Sequence, residues 1–374
     1  MILTTCAACA KPLEHDAPAR CVGCQTRYCS DRCLRYHAHR GGHDDECEEI
    51  ANGGGAEQHH ANKKYGEAVA EAVEECAEDT EGQTCFICMD GEAEEGLVRG
   101  CSCRGAAGFA HVSCLARQAQ VSVEEAEERD LLGDAFDARW ARWHTCGLCE
   151  QYYHGVVVCA LGWGCWKTYV GRPEGDRVRG MAMSQLGNGV SGAEHNEEAL
   201  AVYEAELAML RRISAWEETI LIAQSNVASA YDQLGRDEEA ILMREDIYHR
   251  TLDIWGEEHR ETLLEANNYA LSLVDLQRFE EAKSLLRKSM PVARRVMGQD
   301  DYITLRMRWG YAEALCRDPG STLDDLREAA TTLEDVGRIA QRVFGGSHPT
   351  TKGTECILRM ARTTLAARET PGES

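Results

Sequence analysis

The chain has 374 residues, a net charge of −23 and 19 cysteines. That charge excludes a general nucleic-acid binder, because neutralising phosphates needs clustered Lys and Arg. No stretch reaches the length of a membrane span, "GVVVCALGW" being the nearest. Length allows two or three domains. Seventeen of the cysteines lie in the first 165 residues, with histidines among them. The start, "MILTTCAACA", has neither a basic region nor a long apolar run, so no signal peptide is expected. A cytoplasmic protein, with the nucleus also open to it, that uses cysteine for metal rather than for disulfides is the expectation.

Residues 1–47 carry Cys6-x2-Cys9, Cys21-x2-Cys24, Cys29-x3-Cys33 and His43-x3-Cys47, enough ligands for two closed zinc sites. Ile2, Leu3, Leu13, Val22 and Leu34 are nearly all the aliphatic content of this segment. So small a core does not offset the entropy of ordering the chain. Structural zinc, worth roughly 10–16 kcal/mol per site, supplies the difference. The run "RYHAHRGGHDDEC" leaves His37, His39 and His43 open as the histidine ligand. The segment resembles the MYND zinc finger in "YCSDRC" at 28–33 and in the closing His-x3-Cys. The resemblance implies interleaved sites, Cys6, Cys9, Cys29 and Cys33 holding one ion and Cys21, Cys24, His43 and Cys47 the other. It also implies binding of proline-containing peptides.

Residues 48–84 are acidic and broken by "NGGG", and read as a linker with a short helix. His59 and His60 lack matching ligands nearby and are expected in solvent. "KKYGEAVAEAVEECAE" sets Val69, Val73 and Cys76 on one helical stripe, which makes Cys76 a small apolar residue rather than a ligand.

Residues 85–150 hold the second ligand set, with the spacing C-x2-C-x12-C-x-C-x7-H-x2-C-x31-C-x2-C. A close Cys101/Cys103 pair followed by the flexible "RGAAG" suits a tight turn around a metal. Four cysteines, one histidine and three cysteines, with a single residue between the third and fourth, resemble the RING-variant (RING-CH) family. PHD fingers share the ligand order, usually with a shorter gap before the histidine, and stand as the alternative. The resemblance implies a cross-brace, with Cys85, Cys88, His111 and Cys114 on one ion and Cys101, Cys103, Cys146 and Cys149 on the other. Four zinc ions per chain follow, all structural, since four protein ligands leave no open position. It further implies a platform for a ubiquitin-conjugating enzyme, with Ile87 and Leu148 between the knuckle cysteines as its contacts. Packing against the metal loops is the alternative role for both. Gln118 stands where family members commonly carry tryptophan. Trp140 and Trp143, in the long insert from Leu115 to Thr145, are candidates to fill the same groove.

Residues 151–179, with "QYYHGVVVCALGWGCWKTYVGRP", are apolar and read as a connector that makes Cys159 and Cys165 structural. From 180 to 370 a repeat emerges: Ala199, Ala240, Ala282 and Ala329 mark four copies, and Gly256, Gly298 and Gly345 three of their ends. Equally spaced small residues let helix pairs stack as a solenoid. With Ala228, Ala270 and Tyr231, these positions resemble tetratricopeptide repeats of the kinesin-light-chain kind. That resemblance implies a groove for a protein or peptide segment, with Asn226 and Asn268 bonding its backbone; two solvated asparagines are the alternative.

The fold expected is mainly α, two small cross-braced zinc modules ahead of a tetratricopeptide-type α-solenoid. Two functions are open: a RING-type ubiquitin ligase without a catalytic side chain, or a non-catalytic adaptor binding protein segments.

Overall fold

The computed structural model describes residues 6–9, 11, 13, 19–91, 95–345 and 349–369. Ile2 and Leu3 lie outside them. Among the described residues are fifteen α-helices and one two-stranded antiparallel sheet, β1 (Ala19–Arg20) paired with β2 (Arg27–Tyr28). The chain divides into two compact units, Met1–Ala223 and Gln224–Ser374, with the boundary inside α9 (Glu217–Gln233). No helix of the described residues is long and apolar enough to cross a membrane.

The first unit is built around α6 (Gly155–Tyr169). This helix is apolar on every side, which suits full burial rather than a place at the surface. It packs on α3 (Ala56–Thr80), α4 (Val112–Glu128) and α7 (Arg177–Gly192). Cys159 and Cys165 are buried within it. Glycine sets its approach to α7: a Cβ on Gly189 would meet the Val158 carbonyl oxygen at 2.6 Å. Arg179 of α7 ties three segments together. Its guanidinium donates to the Arg172 carbonyl at 2.8 Å and to Glu57 of α3 at 3.0 Å, with its carbon 5.3 Å from the Trp166 ring centre.

Three expectations are corrected here. In place of a linker with a short helix, Ala56–Thr80 form one 25-residue helix that buries Ala61, Ala68, Val69 and Ala72. His60 is accordingly not in solvent; its ring lies 5.6 Å from that of Trp163, and burial pulls its pKa down to about 4. Trp140 and Trp143 do not fill the groove beside Gln118. They end α5 (Asp134–Trp140) and the 3-10 turn after it, and both lie 5.9 Å from the Tyr169 ring, buried against α6.

Helix pairing continues with α7 and α8 (Asn196–Arg212). In the second unit α10 (Asp237–Trp255), α11 (Arg260–Asp275), α12 (Phe279–Val296), α13 (Tyr302–Arg317), α14 (Leu323–Val343) and α15 (Pro349–Glu369) each pack on the next. α11 also touches α13, and α13 touches α15, the contacts that turn hairpins into a solenoid. The repeat alanines Ala240, Ala270, Ala282 and Ala329 are fully buried where helices meet. The repeat glycines serve another purpose: Gly256, Gly298 and Gly345 have φ of +80°, +91° and +85°, with open space where a Cβ would stand. They are kept for backbone freedom at helix ends, each amide closing the last turn of its helix. The architecture is a mainly α, tetratricopeptide-type solenoid behind cysteine-rich modules.

Candidate metal centres and docking groove

Three of the Cys-x2-Cys pairs fold into the same turn. Cys21, Cys85 and Cys146 each accept, at the carbonyl, the amide of the residue four further on: Gln25, Met89 and Glu150. Their own amides return to Thr26, Asp90 and Gln151. The residue after the second cysteine must then take a positive φ, and Gln25, Met89 and Glu150 do so at +64°, +63° and +56°. None is glycine, so each turn carries strain that something else must offset. In two of them a backbone amide also points at sulfur, Ile87 N to Cys85 Sγ and Leu148 N to Cys146 Sγ, both at 3.4 Å.

Cys33, His43, His111 and Cys114 come from helix starts. Ser30 caps α1 (Asp31–Arg40) by accepting from the Cys33 amide. His43 and Cys47, four apart, share a face of α2 (His43–Asn52). His111 precedes α4 and Cys114 lies in its first turn; Glu95 Oε1 accepts the Ser113 amide there at 2.8 Å. An isolated backbone bridge between Val98 and Ala110 fixes the segment that delivers His111. Gly108 is indispensable beside the Cys101/Cys103 pair. It has φ +87°, and a Cβ on it would sit 2.5 Å from that of Cys103.

These elements bring together four sets: Cys6, Cys9, Cys29, Cys33; Cys21, Cys24, His43, Cys47; Cys85, Cys88, His111, Cys114; and Cys101, Cys103, Cys146, Cys149. Within each, every ligand atom lies within 4.8 Å of the others. The sequence-named residues thus meet in the interleaved order that both resemblances imply. Among the three histidines near the first module, His43 is the one in a cluster, its Nε2 3.4 Å from Cys24 Sγ. His37 instead pairs with the Tyr28 hydroxyl at 3.0 Å, and His39 is exposed.

The dimensions suit zinc. A tetrahedron with arms of about 2.3 Å has sulfur–sulfur edges of about 3.8 Å. Cys9–Cys29, Cys29–Cys33, Cys21–Cys47 and Cys103–Cys146 measure 3.7, 3.5, 3.5 and 3.8 Å. His111 Nδ1 stands 3.4 and 3.7 Å from Cys88 and Cys114. A hydrogen bond from the Cys101 thiol holds Cys146 down to about 4, while that contact pushes Cys101 up. Four sulfurs so close do not ionise together unless a cation joins them.

A groove of about 520 Å³ opens beside the third cluster, lined by Ile87, Ser113, Cys114, Arg117, Gln118 and Val121. Ile87 is half-buried at its edge. Leu148 is 51% exposed, and its neighbour Gly147 lies against Gln118. Arg117 and Val121 were not anticipated, although their signal is plain: they follow Cys114 at three and seven residues on one helix face. In the second unit Asn226 and Asn268 are half-buried on α9 and α11. Asn268 donates to Glu265 at 3.4 Å.

Residues 85–127 match the RING-variant domain, and residues 266–302 match the tetratricopeptide repeat. None of the curated proteins matches the chain significantly. Among solved structures, a putative kinesin light chain of Podosopora anserina with nearly identical TPR-like repeats is 19% identical, over 51% of this chain and 88% of that one, with a TM-score of 0.41. BtubC (BKLC) from P. vanneervenii is 15% identical over 70% of this chain and 94% of that one, with a TM-score of 0.33. The chain therefore contains a zinc-binding RING-variant domain and tetratricopeptide repeats, which mark it for binding other proteins.

Proposed function

We propose that the chain is a RING-type ubiquitin ligase. Four structural zinc ions sit in the four clusters, the first two of them a MYND-type finger. The conjugating enzyme docks in the groove of Ile87, with Leu148 as the second apolar contact. The repeats hold the substrate, Asn226 and Asn268 bonding the backbone of a bound segment. The groove carries this reading. It joins a half-buried aliphatic residue on the first knuckle to an exposed helix face, in a module whose loops converge on two ligand clusters.

Such a ligase has no nucleophile of its own and accelerates transfer by holding a charged conjugating enzyme beside a bound lysine. The full chain should discharge ubiquitin from at least one member of a broad panel of conjugating enzymes. Ile87→Ala should abolish this with zinc content unchanged, and Cys101→Ser should lose both. Wild-type protein that discharges no member of the panel is an adaptor instead. Replacing Asn226 and Asn268 together by Ala should weaken partner capture with little change in Tm, each lost hydrogen bond being worth about 0.5–1.5 kcal/mol.

A further inference from the structure

A cleft of about 530 Å³ lies among the second RING-variant knuckle, α6 and α7, a volume within the roughly 300–1,000 Å³ span of small-ligand sites. Neither the metal clusters nor the Ile87 groove makes use of it. One side is aromatic, bordered by Trp140, His144, Tyr152, Tyr153 and His154. The other is a polar strip of α7, with Ser184, Gln185 and Asn188. All three are engaged. Gln185 Oε1 is 3.1 Å from His144 Nδ1, and Asn188 Oδ1 accepts from the Tyr203 hydroxyl at 2.8 Å.

Ser184 leads deeper. Its hydroxyl donates to Oε1 of Glu206 on α8, a residue only 4% exposed. The second oxygen, Oε2, is buried without a hydrogen-bond partner among the described residues. Burial pushes this carboxyl up to about 7, with the Ser184 hydrogen bond working against it. A buried carboxylate with one hydroxyl and no counter-charge is unfavourable, and it becomes favourable when a cation is brought to it.

We propose that this cleft receives the ammonium group of a lysine side chain, free or methylated, from a partner protein. The aromatic wall lines one side of the cation, and Glu206 supplies the opposite charge from one hydroxyl behind the polar side. Rings attract cations through their quadrupoles, most strongly where water is excluded. The chain's charge of −23 draws a basic segment toward it.

The test titrates the full chain with butylammonium, tetramethylammonium and uncharged pentanol, followed by tryptophan fluorescence. Both cations should saturate, with pentanol at least about tenfold weaker. The tighter of the two cations shows whether the free or the methylated form is preferred. Glu206→Gln should weaken both cations about tenfold without lowering Tm, since it removes an unpaired buried acid. Tyr152→Ala, at a side chain 70% exposed, should weaken them about threefold with the fold intact. No saturable cation binding, equal binding of pentanol, or cation affinities untouched by both variants would overturn the proposal.

Discussion

The first module and the repeats stabilise themselves by opposite means. Between 6 and 56 the described core consists of Cys6, Leu13, Ala19 and Tyr28, with a second patch of Cys24, Ile50 and Ala56. Two members of these patches belong to the metal clusters themselves. The second unit buries a continuous apolar core from Ile241 to Ala361, with Leu273, Leu286, Leu315 and Leu333 at its centre. Where apolar surface is scarce, ligand geometry does the work of packing. Where it is plentiful, the chain needs only small residues at helix crossings and glycine at helix ends.

Chelation should separate the two regions most sharply. Each structural zinc contributes on the order of 10–16 kcal/mol of folding free energy, so a strong chelator should unfold the modules before residue 150. Circular dichroism should retain the signal of α10 to α15, which use no cluster residue. Complete loss of helicity would mean that the repeats depend on the metal.

Glycine substitutions sharpen the same contrast. Gly108→Ala forces a Cβ to 2.5 Å from Cys103 at a positive φ, and should cost one zinc ion and, on the proposed function, ubiquitin transfer. Gly256→Ala meets open space and carries only the strain of its backbone, about 1–3 kcal/mol, with zinc content unchanged. Zinc analysis and denaturant melts distinguish them.

Acid falls between these two effects. His60 has a folded pKa of about 4, lowered by burial, against about 6.5 unfolded. The unfolded chain therefore binds the extra proton first, so stability from this residue is complete above about 6.5 and lost as pH falls toward 4. The largest loss is about 3 kcal/mol. His60→Phe should retain the Trp163 contact and remove that part of the acid sensitivity, measured as the difference from wild type across this window.

What could be read from the sequence follows the same division. Cysteine spacing reports a local turn, and the turn at Cys85, Cys146 and Cys21 needs only residues four or five apart. Repeat glycines are legible because each ends its own helix. α3 hid its packing because its buried face is largely alanine, Ala61, Ala68 and Ala72, which hydropathy does not separate from an acidic linker. The roles of Trp140 and Trp143 depend on Tyr169, nearly thirty residues on. The aromatic cleft joins residues near 150 to α7, with Glu206 of α8 behind it, and no local spacing announces it.

The account rests on metal in all four clusters, and native mass spectrometry of the purified chain reads that number directly. Four zinc ions per chain are predicted from the four sets of ligands, none of them removed by Ile87→Ala. A mass corresponding to two ions would contradict the account, leaving one of the two modules without metal in its clusters.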